Sequence, residues 1–369
     1  MSRFSNLGHR LYQGEVSFDF VGRRKLWYSI SGVIVLVAAI GLAMGLHLGI
    51  EFKGGSVYTV QKSGLTVAQA QTAINDVTHG STALVQSTDK GKVRIQISSE
   101  VEQSPDTIRS GLAKELGVPV QDIDSQVIGP SWGEQISQKA LLGLVIFMVL
   151  VTIYMAIAFE WRMAVAALVA LIHDLLITIG VYALVGLEVT PGTVIGFLTI
   201  LGYSLYDTVV VFDTVKENTK GLTKQSKLTY SEAANAGLNQ TLVRSINTTV
   251  VALLPVAALL FIGGGLLGAG TLNDISLALF IGLAAGAYSS ICVATPLLAQ
   301  LKEEQPEMKA LAKRVAQRRA SEAKAAAEAA AAAPAGEEFA DEDLPAGMVG
   351  QRAQAPGKPR AKGRPSGKR

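Results

Sequence analysis

The sequence predicts an α-helical membrane protein: six transmembrane helices with an extracytoplasmic α+β, ferredoxin-like domain between the first and the second. Three observations predict it. Hydrophobic residues make up 49% of the 369 residues and charged ones only 17%, with a mean hydropathy of +0.34, too apolar for an ordinary soluble domain. The apolar residues are gathered into runs of roughly 20, long enough at about 1.5 Å rise per residue to cross a hydrocarbon core of about 30 Å. One sizeable stretch with soluble patterning lies between the first run and the others.

Residues 1–25 are polar and carry Arg3, Arg10, Arg23, Arg24 and Lys25, so the positive-inside rule places them in the cytoplasm. The first span, 26–50, is too long for the apolar core of a secretory signal and has no convincing cleavage site. Hydropathy then drops over residues 51–138. Ser56 to Gln61 alternates as a strand. Thr66 is a helix N-cap ahead of Val67, Ala70, Ile74 and Val77, and Ala83 to Thr88 is again strand-like. Asp89-Lys90-Gly91-Lys92 reads as a hairpin turn into Val93, Ile95 and Ile97. Ser104-Pro105 opens a helix to Leu116, and a last strand covers Ile123 to Ile128. The order β-α-β-β-α-β is a split ferredoxin-like unit.

Residues 139–301 hold the remaining spans at 140–159, 163–187, 191–212, 245–263 and 275–301, with a Gly-rich loop from Gly263 to Gly270. An even number of crossings returns the chain to the cytoplasm. The connection from Lys216 to Arg244 carries Lys216, Lys220, Lys224, Lys227 and Arg244, on the same side as the basic N-terminus. Residues 302–369 are a cytoplasmic tail, helical to about Ala333, then acidic from Glu337 to Asp343 and basic from Gln351, and read as disordered. Such charge asymmetry sets topology and does not indicate nucleic acid. The single cysteine, Cys292, allows no internal disulfide.

Asp207 stands inside an uncharged run that begins at Val189. A charged Asp at a helix centre costs about 2.5–3.5 kcal/mol on insertion scales, so such residues face a bundle interior or a wet path and mark function. The competing reading is a structural acid bonded to Ser204 or Tyr203. Helical spacing puts Gly196, Thr199, Tyr203 and Asp207 on one inward stripe. His173 and Asp174 fall near the bilayer middle, with Thr178 on the same face as Asp174. A histidine beside a carboxylate at that depth points to a proton relay, or to a polar clamp between helices. Arg244, Ser245, Thr248 and Thr249 offer a cation and a hydroxyl-lined turn, and Arg244 is either a partner of Asp207 or a headgroup anchor. The pairs Gly41/Gly45, Gly192/Gly196 and Gly282/Gly286 permit close helix packing. There is no phosphate-binding loop, no metal-spaced His/Cys cluster and no nucleophile triad, so no enzyme activity, cofactor or metal is expected, and an ion gradient is the expected energy source.

Several stretches together carry a resemblance over about residues 19–300. They are Asp19-Phe20-Val21-Gly22-Arg23-Arg24-Lys25, Leu48-Gly49-Ile50-Glu51-Phe52-Lys53-Gly54-Gly55, Val127-Ile128-Gly129-Pro130, Phe159-Glu160-Trp161-Arg162, Ile172-His173-Asp174, Gly202-Tyr203-Ser204-Leu205, Asp207 to Asp213, and Arg244-Ser245-Ile246-Asn247-Thr248. In this combination the chain resembles the SecD/SecF family of protein-export membrane subunits, itself related to resistance-nodulation-division transporters. The resemblance implies export driven by the proton motive force, with Asp207 and Arg244 in proton-coupled movement. Gly49, Glu51, Phe52, Gly54, Gly55, Gly129, Pro130 and Asp213 are implied as motif residues. It also implies the bacterial cytoplasmic membrane as the location and SecD, the SecYEG channel, emerging preprotein and, as a further candidate, YajC as partners. Tyr206 stands where the family pattern has asparagine, and Thr214 where it has arginine. The alternatives are a lipid or small-molecule exporter of the related superfamily and a non-conducting scaffold for SecD.

Overall fold

The computed structural model describes residues 17–80, 83–89, 92–98, 101, 103–264 and 270–332. Within them are six helical segments long and apolar enough to cross a membrane: Arg24–Met44, Ser131–Ala158, Trp161–Val185, Pro191–Lys224, Tyr230–Gly263 and Leu272–Glu303. In helix terms these are α1 (Arg24–Met44), α5 (Pro130–Ala158), α6 (Trp161–Val185), α7 (Pro191–Thr219), α8 (Tyr230–Ala258, prolonged by a π turn at Leu259–Gly264) and α9 (Gly270–Ser289). A second π turn, Ser290–Ala294, carries α9 into α10 (Thr295–Glu303). The third, fourth and sixth spans are the interior of the bundle, and the second is the most peripheral. Polar residues on the buried faces, among them Thr193, Ser204, Asp207 and Thr208 in α7, mark which side is inward.

Several helices differ in extent from the apolar windows because caps, rather than hydropathy, end a helix. α8 begins at Tyr230, not near 245, since Thr229 and Glu232 close a capping box there. α7 continues past 212 to Thr219. α5 begins at Pro130, nearly three turns ahead of 140, with proline at the first helical position. The first span ends at Met44 rather than 50, where Gly45 takes φ 105°. Gly45 is therefore a helix stop and not half of a packing pair. Beyond it His47–Leu48 (β1) pairs in parallel with Glu188–Val189 (β6), and Ile50–Lys53 makes one helical turn, α2.

The small domain contains β2 (Gly55–Gln61), α3 (Val67–Thr78), β3 (Ala83–Asp89), β4 (Lys92–Ser98), α4 (Pro105–Leu116) and β5 (Ile123–Ile128). The sheet is antiparallel with order β3-β4-β2-β5, the ferredoxin-like arrangement expected of this chain order. Gly54 and Gly55, at φ 73° and 137°, turn the chain from α2 into β2 in conformations that residues with a Cβ rarely adopt. The Thr66–Gln69 capping box starts α3 and Ser104 caps α4. One sheet face buries Tyr58, Val60, Val93, Ile95 and Ile97 against Ile74, Ile108 and Leu112 of the helices. By strand alternation Arg94 and Gln96 point from the other face. The hairpin tip at residues 90 and 91 lies outside the described residues. Residues 55–129 expressed alone are expected to show mixed helix and sheet by circular dichroism and a cooperative melt. Ile95→Ala is expected to cost about 2–5 kcal/mol in a denaturant titration of that fragment.

Phe18, Phe20 and Val21 donate their backbone N–H groups to Asn239 and Asn235 of α8, and Arg24 pairs with Glu303 at 2.7 Å. Helix α11 (Pro306–Ala332) buries Leu311 and Val315, which belong to the same core cluster as Leu222, Tyr230 and Ala233. From Ser321 the chain forms a second unit, whose described part is an exposed helical end. Residues 1–16 and 333–369, including the acidic and basic parts of the tail, lie outside the described residues.

Candidate functional site

Asp207 is 6% exposed on α7. Its carboxylate accepts Ser245 Oγ of α8 at 2.7 and 2.6 Å and Ser290 Oγ of the second π turn at 2.5 Å. Three spans thus converge on one acid. A buried ionised carboxylate is costly unless hydrogen-bonded or paired; here the donors are neutral hydroxyls, and no cation pairs with Asp207 among the described residues.

Close helix packing brings the serine there. On α9, Gly282, Gly286 and Ser290 recur at four-residue intervals and face α7: a Cβ on Gly282 would lie 2.1–2.7 Å from three Ile200 side-chain atoms, and one on Gly286 3.1 Å from Ser204 Cβ. Two glycines let the backbones approach, and the next position on the stripe reaches Asp207. The π turn, whose Ser290 carbonyl accepts Thr295 Oγ1 of α10 at 3.2 Å, resets the helix at that point. Such turns are frequent at functional sites.

A second buried acid is adjacent. Asp174 of α6 is fully buried and accepts Ser204 Oγ at 2.5 Å, one helical turn from Asp207 along α7. His173 Nδ1 lies 3.4 Å from Asp174 Oδ1, and its ring stacks on Tyr288 at 6.0 Å. Tyr288 in turn meets Ser31 of α1 at 2.9 Å. His173 Nε2 and Thr208 Oγ1 are buried without a hydrogen-bond partner among the described residues. Thr178 donates to the Asp174 carbonyl.

The structure separates other expected neighbours. Arg244 does not meet Asp207: it is exposed and lines a cavity of about 460 Å³ with Tyr154, Phe159, Asp213 and Lys216. Consecutive residues on a helix point about 100° apart, so Ser245 facing inward turns Arg244 outward. The inward stripe of α7 is also rotated from the expected one. Thr199 is exposed and bonds its own helix at Ile195 O, and Tyr203 is half-buried, whereas Ile200, Ser204 and Thr208 are buried beside Gly196 and Asp207. Gly196 and Asp207 lie at the edge of the buried arc, and the stripe expected from helical spacing runs along its outer side. Ser204 serves Asp174 rather than Asp207. The two departures from the family pattern point elsewhere: Tyr206 is 56% exposed, and Thr214 bonds Val210 O within its own helix. Gly49, Glu51 and Phe52 lie in the segment packed on Val189, and Gly129 and Pro130 start α5. Ser290, Tyr288 and Ser31 join the site only in the tertiary structure; the sequence signal for Ser290 is its four-residue continuation of Gly282 and Gly286.

The family described as "Protein export membrane protein SecD/SecF, C-terminal" matches residues 110–304, and "SecD/SecF GG Motif" matches residues 40–61. The protein translocase subunit SecF of Streptomyces coelicolor is 60% identical, the match covering 100% of both chains. That of Mycobacterium tuberculosis is 42% identical over 84% of this chain and 74% of the relative. The crystal structure of SecDF from Thermus thermophilus, described as a translocon-associated membrane protein, superposes with a TM-score of 0.67 at 30% identity, covering 78% of this chain and 39% of that one. A SecDF structure in a super-membrane-facing form gives 0.57 at 29% identity, over 84% and 40%.

Proposed function

The chain belongs to the SecD/SecF family of protein-export membrane proteins, and from that premise we propose that it uses the proton motive force, together with SecD, to assist preprotein export through the SecYEG channel. It is a multi-pass membrane protein with an accessory role in the Sec pathway. The observation that carries the proton reading is Asp207, an acid in the bundle interior held by hydroxyls from two further spans. In this reading the carboxylate accepts both hydroxyls, whereas the protonated acid would donate its own O–H to one of them, and that exchange of donor and acceptor alters the contact between α7, α8 and the π turn. His173 and Asp174 supply a second pair of protonatable groups one turn away. One charge crossing about 100 mV releases about 2.3 kcal/mol, enough to bias a two-state position of the small domain about fiftyfold. Arg244, outside the Asp207 contact, is available to an acid of a neighbouring subunit. The test is completion of a stalled secretory protein by membrane vesicles with and without a gradient. Stimulation that depends on this chain supports the reading, and completion indifferent to the gradient refutes it.

In the same reading both termini are cytoplasmic and the small domain lies outside the bacterial cytoplasmic membrane, because Lys and Arg favour the N-terminus and the 216–244 connection. Ser110 and Gln225 are exposed and Cys292 is buried, so single cysteines at the first two positions report cleanly. In intact spheroplasts an impermeant thiol reagent is expected to label Ser110→Cys and not Gln225→Cys.

A further inference from the structure

We infer that Arg94, on the helix-free face of the small domain's sheet, and Glu188, in the bridge that leads into the Asp207 helix, form the contact through which the state of the membrane helices is passed to the small domain. This rests on the proton-coupled reading above and names the contact that reading requires. Arg94 Nη1 lies 3.0 Å from Glu188 Oε2, and the Glu188 side chain is only 7% exposed. Beside it on the strand, Gln96 Nε2 donates to Leu48 O, so the same sheet face holds the segment that leaves the first span. That segment is bound to the bridge in turn: His47 pairs with Glu188 and Leu48 with Val189, and Gly49 N donates to Val189 O at 2.9 Å.

The bridge has no slack. Glu188–Val189 is followed at once by Thr190, the N-cap of α7, whose side chain bonds Thr193 and also donates to Asp274 Oδ2 at 3.0 Å near the start of α9. Tyr182 of α6 donates to the Asp274 backbone carbonyl. The starts of α7 and α9 are thereby tied to each other, and Asp207 and Ser290, which meet inside the bundle, lie on the continuations of those two helices. A shift of one helix against the other inside the bundle must move Thr190 against Asp274, and Glu188, two residues before Thr190, moves with it. The groups around Glu188 are Arg94, Glu51, Asp274 and His47. Burial pushes the Glu188 carboxyl above its ordinary range, and the Arg94 guanidinium opposes that most strongly. With two further acids nearby, Arg94 is the charge that holds Glu188 as a partner. The Glu188 side chain is 7% exposed and that of Arg94 26%, so removing Arg94 leaves a mostly buried carboxylate without its countercharge.

Spin labels at the exposed positions Ser110→Cys and Leu272→Cys, in a Cys292→Ala background of the complex isolated with its partner subunit, measure the position of the small domain over the start of α9. The parent is expected to give one narrow distance distribution. Arg94→Gln and Glu188→Gln should each broaden it and lower gradient-stimulated export about fivefold or more. The charge swap Arg94→Glu with Glu188→Arg should restore both, which separates loss of the contact from loss of folding. Unchanged distances in both single variants overturn the inference, whatever export does. If instead the distances broaden while Asp207→Asn keeps full gradient stimulation, the contact stands and the proton-carrier reading fails.

Discussion

Asp207→Asn is expected to insert and fold normally and to lose gradient-stimulated export, leaving completion at the level seen without a gradient. The amide keeps the shape of the carboxyl group. Its oxygen still accepts a hydroxyl from Ser245, and its nitrogen donates to Ser290 Oγ where the carboxylate accepted. Hydrogen bonds to a charged group contribute about 1.5–3 kcal/mol and neutral ones about 0.5–1.5, so the stability change is of the order of 1 kcal/mol. What disappears is titration. The bias that one charge gains from about 100 mV, about fiftyfold, has no group left to act on. Normal amounts of the variant in the membrane, with full stimulation retained, would refute the proton-carrier role and leave a scaffold for SecD. Ser290→Ala is the graded companion: it leaves Ser245 on the carboxylate and removes the bond from the π turn, so stimulation should fall without vanishing.

Gly282→Val is expected to be the most damaging substitution outside the acid itself. The first added atom would fall 2.1 Å from Ile200 Cδ1, 2.6 Å from Cγ1 and 2.7 Å from Cγ2. Both branches of the isoleucine are in the way, so a rotamer change of its tip does not clear the site and the helices must part. Overpacking of this kind costs about 1–3 kcal/mol. The functional effect exceeds the stability effect because Ser290 lies two turns further along the same stripe, and a hydrogen bond of 2.5 Å does not survive displacement of its donor by an ångström. The variant should melt earlier in detergent and lose gradient stimulation together. Ile200→Ala in the same chain should recover part of both, a coupling that a double-mutant cycle measures directly. Equal melting of Gly282→Val and the parent would show that α7 and α9 are not held by this contact.

Much of this architecture is legible in the sequence because its causes are local or one-dimensional. A run of apolar residues crosses a bilayer wherever it occurs, and period-two and helical patterns between Ser56 and Ile128 report which side of each strand and helix is dry. Helix ends were less legible. Thr229 and Thr190 start helices by accepting N–H groups three residues on, independently of hydropathy, so α8 starts 15 residues ahead of the span expected at 245.

The sequence by itself determined the number of crossings, the split β-α-β-β-α-β order and the presence of an acid at position 207 within an apolar run, since each depends on residue type and spacing alone. The tertiary structure alone decided which groups that acid meets. Ser245 and Ser290 are 38 and 83 residues away from Asp207, and no local pattern orders them. Arg244 is the partner that charge alone selects, yet it shares a helix with Ser245 and is turned away by the 100° step between neighbours. The choice between cation and hydroxyl was made by the rotation of α8, which turns Ser245 toward α7, while the close approach of α9 to α7 at Gly282 and Gly286 brings in Ser290. The same holds for Arg94 and Glu188, an ordinary strand cation and an ordinary loop acid in the sequence. They become a contact because the open face of the sheet lies on the bridge between two spans.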